Sequence, residues 1–167
     1  HIVPRVQQVQ DALGCQILLE NVSSYVTFPE SELTEWDFLR EISERADCKI
    51  LLDVNNIYVS AFNHGFSIDT YLQSIPVDRV GQFHLAGHTN YGEYIIDTHI
   101  GPVIDDVWAV YRKALDRFGP ISALVEWDED IPPFAVVLQE VRRSRSIEAA
   151  WRAQNNTSTS PKEARHA

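Results

Sequence analysis

The chain has 167 residues, a net charge of −10 and two cysteines, Cys15 and Cys48. Such an acidic chain argues against nucleic-acid binding, which draws on clustered Lys and Arg, and no run of about 18 apolar residues or basic-then-apolar leader indicates a membrane span or a signal peptide. Two cysteines are too few for a disulfide framework. Because each opens an apolar strand, we expect both to be buried, in a protein of the reducing cytoplasm.

Apolar residues at helical spacing mark six segments along the chain. They predict helices at 3–13, 34–46, 55–61, 68–74, 103–118 and 133–150. Gly14 suits the end of the first helix, and Thr34-x-x-Asp37 resembles a capping box that opens the second. Pro132-Pro133 opens the last helix, since proline fits a first helical turn.

Four apolar runs lie between these helices and predict β-strands. The strands are 16–20, 49–53, 80–84 and 122–126, and they end in Glu20, Asp53, His84 and Glu126. Helices that alternate with strands in this way are typical of βα units with a parallel sheet. The prediction is an α/β fold made of about four βα units, the C-terminal part of a TIM (β/α)8 barrel.

The length of the chain bears on how much of the barrel is present. A complete barrel usually needs about 250 residues. The chain begins with His1 and contains no methionine, so we interpret it as part of a longer protein. We expect residues 1–153 to form the C-terminal half of the barrel domain, and the polar residues 154–167 to form a disordered tail.

Side chains at the C-terminal ends of parallel strands meet at one face of a barrel. A single acidic residue there is often solvated or caps a helix, as Asp53 could. Four successive strands ending this way favour a shared metal site, because converging carboxylates and imidazoles need a cation to offset their repulsion. Asp97-Thr98-His99 adds a further pair. The predicted ligands are Glu20, Asp53, His84, Asp97, His99 and Glu126.

Two other histidines have weaker claims on the site. The spacing of His84 and His88 would suit a zinc-binding helix face, but the strand before them and Gly87 favour a turn. His88 is therefore expected to support the ligands or the substrate. His64 has either a site role or a hydrogen bond that orders a loop. Carboxylate and imidazole without thiolate suit iron, manganese or zinc, and several carboxylates can hold more than one ion.

A series of motifs in this order resembles one known family. They are Glu20–Tyr25, Leu52–Ala61 with Asn63–Gly65, His84–His88, Asp97–His99, and Glu126-x-Asp128 with Ile131–Pro133. Together they are similar to the multinuclear non-haem iron-dependent oxidases, a family formerly catalogued as a domain of unknown function that includes the methanobactin-biosynthesis oxidase. The family has a TIM barrel related to xylose isomerase and endonuclease IV.

The resemblance implies an enzyme with two or three iron ions of mixed Fe(II)/Fe(III) state. Members of the family use dioxygen to modify cysteine in ribosomally made peptides, often with a partner protein that delivers the peptide. It also implies that Glu20 and Glu126 bridge ions, with the other predicted ligands terminal. Asp128 is then the expected proton acceptor and His88 a second catalytic residue.

The resemblance is incomplete in three respects. Asn56 stands where endonuclease IV has a metal-binding histidine, so a third metal position is expected to be weaker or differently made. Trp127 directly follows the last ligand, and Ile100 directly follows Asp97-Thr98-His99. At both positions other residues are more usual in the family. Two further histidine ligands of the family lie on early strands that this chain lacks, so the isolated chain is expected to be inactive. A redox-neutral zinc or manganese enzyme and a non-catalytic scaffold remain alternatives.

Overall fold

The computed structural model describes residues 1–156 as six α-helices and six strands. The helices are α1 (Ile2–Leu13), α2 (Glu35–Ala46), α3 (Val54–His64), α4 (Ile68–Ser74), α5 (Asp105–Phe118) and α6 (Phe134–Asn156). The strands are β1 (Leu18–Glu20), β2 (Lys49–Asp53), β3 (Val80–Ala86), β4 (Thr89–Asn90), β5 (Ile95–Ile96) and β6 (Ala123–Glu126). A 3-10 turn at Val77–Arg79 leads into β3.

The main sheet has the order β1-β2-β3-β6, and all three of its pairings are parallel. Helices lie in each connection between these strands. Four parallel strands that follow chain order with helical crossovers are consecutive βα units, as in part of a TIM barrel. The predicted α/β fold class is confirmed.

The register of the sheet brings the predicted ligands on its strands to the same end of the sheet. Asp53 lies opposite His84 across the β2–β3 pair, and Glu126 lies opposite Ala86 across the β3–β6 pair. Glu20 is the last residue of β1 and pairs with Leu51. Because the strands are parallel, these carboxyl ends fall at the same end of the sheet.

The two central strands are the most buried part of the core. Ile50 and Leu52 of β2 and Phe83 and Leu85 of β3 have no exposed surface, and Trp108 of α5 is likewise buried. Ile50 and Leu52 alternate along β2 and so lie on the same face of the sheet, while Leu51 on the opposite face is partly buried. The site therefore rests on a rigid base.

Several local predictions need adjustment. Cys48 is buried, but Cys15 is exposed, so the prediction that both cysteines are buried was wrong for Cys15. Gly14, in the left-handed conformation at φ 66°, turns the chain at the end of α1, and Cys15 follows it before the sheet begins. β1 starts at Leu18 instead of residue 16, since the N–H of Ile17 is taken by the Gln10 side chain.

The last helix is longer than predicted. α6 continues to Asn156, where Trp151 donates a hydrogen bond to Asp116 of α5 and Arg152 pairs with Glu148. The first residues of the predicted polar tail thus belong to the helix, and the others lie outside the described residues. The β4–β5 hairpin, between β3 and α5, was not among the predicted strands. None of the helices within residues 1–156 is long and apolar enough to span a membrane.

Candidate metal centre

At the C-terminal end of the sheet, the structure brings five of the six predicted ligands into two compact groups, and the sixth, Asp97, contacts His99 but is in neither group. Ligand atoms of Glu20, Asp53, His84 and Glu126 all lie within 4.8 Å of one another. A second group of the same compactness contains His99, Glu126 and Asp128. Glu126 belongs to both groups, so the cluster can be divided into two adjoining ligand sets that share one carboxylate.

The first set is centred on His84. Its Nδ1 atom lies 2.9 Å from Oε2 of Glu126 and 3.6 Å from Oε1 of Glu20. The carboxylates of Glu20 and Glu126 raise the pKa of the His84 imidazole above its ordinary value. In the absence of a metal, a proton on His84 partly offsets the repulsion between these two carboxylates.

The second set surrounds His99 with carboxylates. Its Nε2 atom lies 2.8 Å from Oδ1 of Asp97, while its Nδ1 atom lies 3.3 Å from Oε2 of Glu126 and 3.4 Å from Oδ2 of Asp128. Asp97 is the main cause that raises the pKa of His99 to about 9. His99 also has a positive φ of 50°, a backbone conformation that is uncommon outside glycine.

Asp53 is the most buried acid of the cluster, with no exposed surface. Its Oδ1 atom accepts the backbone N–H of Asn56 at 2.6 Å and so caps α3, as the sequence suggested it could. Its Oδ2 atom has no hydrogen-bond partner. Burial raises the pKa of Asp53 to about 7, because an ionised carboxylate there lacks water and sits near other acids.

Buried polar atoms without a hydrogen-bond partner indicate whether these residues fit a cation. Among the described residues, eight buried side-chain polar atoms lack a hydrogen-bond partner, and four of them belong to Asp53, Asn56 and His99. Both ring nitrogens of His99 are included, so its short contacts with carboxylates lack hydrogen-bond geometry. Unpaired buried polar atoms cost roughly 1–3 kcal/mol each. Oxygen and imidazole donors left free in this way fit a hard or intermediate cation such as iron, manganese or zinc.

His88 lies behind the ligands. Its Nδ1 atom is 2.8 Å from Oδ1 of Asn55, and Nδ2 of Asn55 donates to Oδ1 of Asp97 at 2.7 Å. Since the amide oxygen of Asn55 can only accept, Nδ1 of His88 must carry the proton. The ring packs on Tyr58, and burial lowers the pKa of His88, so the imidazole is neutral.

Two asparagines that the sequence reasoning missed hold the ligands in place. Asn55 links His88 to Asp97, as described above. Asn21 exchanges two hydrogen bonds with the backbone of Asp53, at 3.0 and 2.8 Å, and its own carbonyl accepts Nδ2 of Asn56. Both asparagines lie within two residues of a predicted ligand, Asn21 after Glu20 and Asn55 after Asp53, and this proximity in sequence could have indicated their role.

Other predicted or neighbouring residues are arranged around the centre. Gly87 lies so close to the loop that carries Asp97 and His99 that an added Cβ would be 2.4 Å from the Ile100 carbonyl oxygen. The backbone N–H of Asp128 donates to the carbonyl of His99 at 3.0 Å. Nε2 of His64 lies 2.9 Å from the carbonyl of Ser24, so His64 orders the β1–α2 loop and is not in either ligand set.

Comparison with known proteins identifies a family and several relatives of this chain. The family model described as the RiPP precursor modification enzyme MbnB/TglH/ChrH matches residues 1–149. A UPF0276 protein of Anaeromyxobacter sp. (strain Fw109-5) is 55% identical over 150 residues, which are 90% of this chain and 53% of that protein. A UPF0276 protein of Acaryochloris marina is 46% identical over 155 residues, 93% of this chain and 56% of that protein.

The chain spans about half the length of these curated relatives. A UPF0276 protein of Caulobacter vibrioides gives the same relation, with 50% identity over 90% of this chain and 54% of the relative. The match to the family model nevertheless extends through β1, β2, β3 and β6, and so includes every candidate ligand. The chain belongs to the MbnB/TglH/ChrH family of RiPP precursor modification enzymes.

Proposed function

We propose that the complete protein is a multinuclear iron-dependent oxidase that uses dioxygen to modify cysteine residues of a ribosomally synthesised peptide. The observation that carries the proposal is the pair of ligand sets that share Glu126. A carboxylate can bridge two cations and offset their repulsion, so a shared carboxylate suits more than one ion. Family membership supports a peptide as the substrate.

The proposed assignment of ligands follows the contacts. Glu126, which belongs to both ligand sets, would be shared between ions, and the same role is proposed for Glu20 from the resemblance, since Glu20 belongs to the first set only. Asp53, His84, Asp97 and His99 would be terminal ligands. The unpartnered Oδ1 atom of Asn56 would supply a neutral oxygen, a weaker ligand than an imidazole or a carboxylate. Iron held here would supply positive charge that lowers the pKa of a substrate thiol, and a redox couple for dioxygen chemistry.

The residues around the ligands would orient them and handle protons. His88 and Asn55 form a hydrogen-bonded chain that fixes the carboxylate of Asp97, as groups behind metal ligands commonly do. The side chain of Asp128 is 60% exposed and lies at the outer side of the second ligand set, 3.4 Å from Nδ1 of His99. Its exposure suits a proton acceptor that exchanges with solvent, and we propose that role for it.

The proposal predicts dioxygen consumption that depends on a substrate cysteine. The complete protein, reconstituted with Fe(II), would be mixed with a Cys-containing precursor peptide encoded beside its gene. Oxygen uptake should occur with this peptide and not with its Cys→Ser version, because the serine hydroxyl has a much higher pKa than a thiol and lacks the sulfur that is modified. A ferric-thiolate absorption band should appear with the same dependence on the cysteine.

The matched control is zinc-loaded protein, which should show no uptake since zinc has no redox chemistry. Turnover by the zinc or manganese form without dioxygen would replace the proposal with a redox-neutral enzyme. Purified complete protein that takes up no metal would instead indicate a scaffold.

Replacing Asp128 with Asn is predicted to keep the metal and slow turnover. Asn has nearly the shape of Asp but cannot accept a proton, so kcat should fall by about 10²-fold if Asp128 is a general base. Iron content by elemental analysis and oxygen uptake would be measured together. Asp130→Asn, two residues further along the same loop, is the control and should change neither quantity. Loss of metal from Asp128→Asn would reassign Asp128 as a ligand.

A further inference from the structure

A cleft of about 830 Å³ lies next to the β1–α2 loop. Residues 22–38 form one side, and His64 and Phe66 line the other. Six large apolar side chains on this loop and the start of α2 are between 44% and 65% exposed: Val22, Tyr25, Val26, Phe28, Leu33 and Phe38. Contiguous exposed apolar surface of this kind marks a binding site more often than a bare surface.

The cleft adjoins the candidate metal centre. The hydroxyl of Tyr25, one of its lining residues, accepts the backbone N–H of Asp97 at 2.9 Å. The loop is tied to α3 as well, because the backbone N–H of Ser24 donates to the Ser60 hydroxyl and His64 bonds the Ser24 carbonyl. Both walls thus belong to this chain, and the hydrogen bonds at Ser24 attach the loop to α3.

Two carboxylates line the cleft, together with His64 and several hydroxyl groups. Neither Glu32 nor Glu35 forms an ion pair with any residue of the described part of the chain. Glu35 is half-buried and accepts the hydroxyl of Tyr71 at 3.0 Å. Burial raises the pKa of Glu35, while the Tyr71 hydrogen bond and the nearby His64 lower it.

This carboxylate is linked to a cluster of aromatic rings through its hydrogen bond from Tyr71. The ring centroids of Trp36 and Phe66 are 5.2 Å apart, and both rings also pack on Tyr71, at 5.5 and 5.9 Å. A carboxylate beside aromatic faces is a favourable setting for an ammonium or guanidinium group, which gains both an ion pair and a cation–π contact. The acidic net charge of −10 would further attract a basic ligand.

We propose that this cleft binds a segment of the peptide substrate that carries apolar side chains and one Lys or Arg, whose charge pairs with Glu35. The apolar residues would cover the exposed side chains of the β1–α2 loop, and the segment would lie next to the residue that is modified, because Tyr25 contacts Asp97. This inference rests on the proposed function for its peptide substrate.

Binding of two fluorescein-labelled peptides to the complete, metal-free protein tests the proposal. Both peptides contain Leu and Phe around one central position, which is Lys in the first and Glu in the second. By fluorescence anisotropy the Lys peptide should bind at least about tenfold more tightly, and Glu35→Gln should remove about that factor. Glu44→Gln, the same change on an exposed position of α2, should leave the affinity unchanged.

A second variant tests the apolar part. Val26→Ser should weaken the binding of the Lys peptide without affecting the fold, because the Val26 side chain is 64% exposed. Equal affinity for the two peptides, binding of neither at millimolar concentration, or Glu35→Gln behaving like Glu44→Gln would each overturn the proposal. The assay contains neither metal nor dioxygen, so its failure would leave the oxidase proposal standing, and failure of the oxygen-uptake experiment would leave this result unaffected.

Discussion

Replacing Glu126 with Gln in the complete protein is expected to remove most of the bound metal while preserving the fold. Glu126 is the only carboxylate common to both ligand sets found among the described residues. The amide keeps the shape of the side chain but carries no charge, so it cannot offset the repulsion of two cations. Iron content should fall by at least one ion per protein, and oxygen uptake by on the order of 10²–10³-fold, since loss of a single group that supports a metal already costs about 10–100-fold.

The measurement combines elemental analysis, oxygen uptake and a circular-dichroism melt. Glu129→Gln is a suitable control, because it removes the same charge from an exposed position three residues along the chain. It should retain both metal and activity. If Glu126→Gln kept its full complement of iron, Glu126 would not be a bridge and the shared-carboxylate assignment would be wrong.

Replacing Asp53 with Asn is expected to have opposite effects on metal binding and on the stability of the metal-free protein. The variant should bind little metal, since a buried carboxylate of the first ligand set is lost. The pKa of Asp53 is about 7 in the folded protein and lies well below that value in an unfolded chain. A raised carboxyl pKa means that the stability present at low pH is lost as the pH rises through 7.

The metal-free wild-type protein should therefore lose on the order of 3 kcal/mol of unfolding free energy from this one group between pH 5 and pH 8. Asp53→Asn cannot ionise and should lack this part of the pH dependence. Urea denaturation of both proteins without metal, at the two pH values, measures the difference. Added Fe(II) should stabilise the wild type at pH 8 and leave the variant unchanged. Parallel pH dependence in the two proteins would show that Asp53 is ionised without penalty and that the stated pKa is too high.

The strands and the positions of the candidate ligands on them were predictable because both depend on local sequence. The apolar run of β2 ends at Asp53, and that of β3 contains Phe83 before His84, so strand type and ligand position are read from adjacent residues. Parallel order then follows from the alternation with helices. Convergence at one edge is a geometric consequence of that order and needs no knowledge of side-chain contacts.

The groups that support the ligands were not predictable in the same way. Asn21 contacts the backbone of Asp53, 32 positions away, and Asn55 reaches Asp97 over 42 positions. An asparagine in either place looks the same in sequence as one that is exposed to solvent. The exposure of Cys15 likewise depends on the direction in which the chain leaves Gly14, which apolar patterning alone does not define.

The close approach at Gly87 has a consequence for how this region can vary. Asp97 and His99 lie on a loop, yet the carbonyls of Ile100 and Gly101 rest directly on the backbone at the end of β3, at distances only glycine permits. Asn63 holds the same connection from the other side through both backbone groups of Ile95. The chain is therefore attached at Gly87 and at Ile95, and the hairpin tip between β4 and β5 makes neither contact. Insertions or deletions at the tip can alter its length and still leave the ligand pair in register with the sheet.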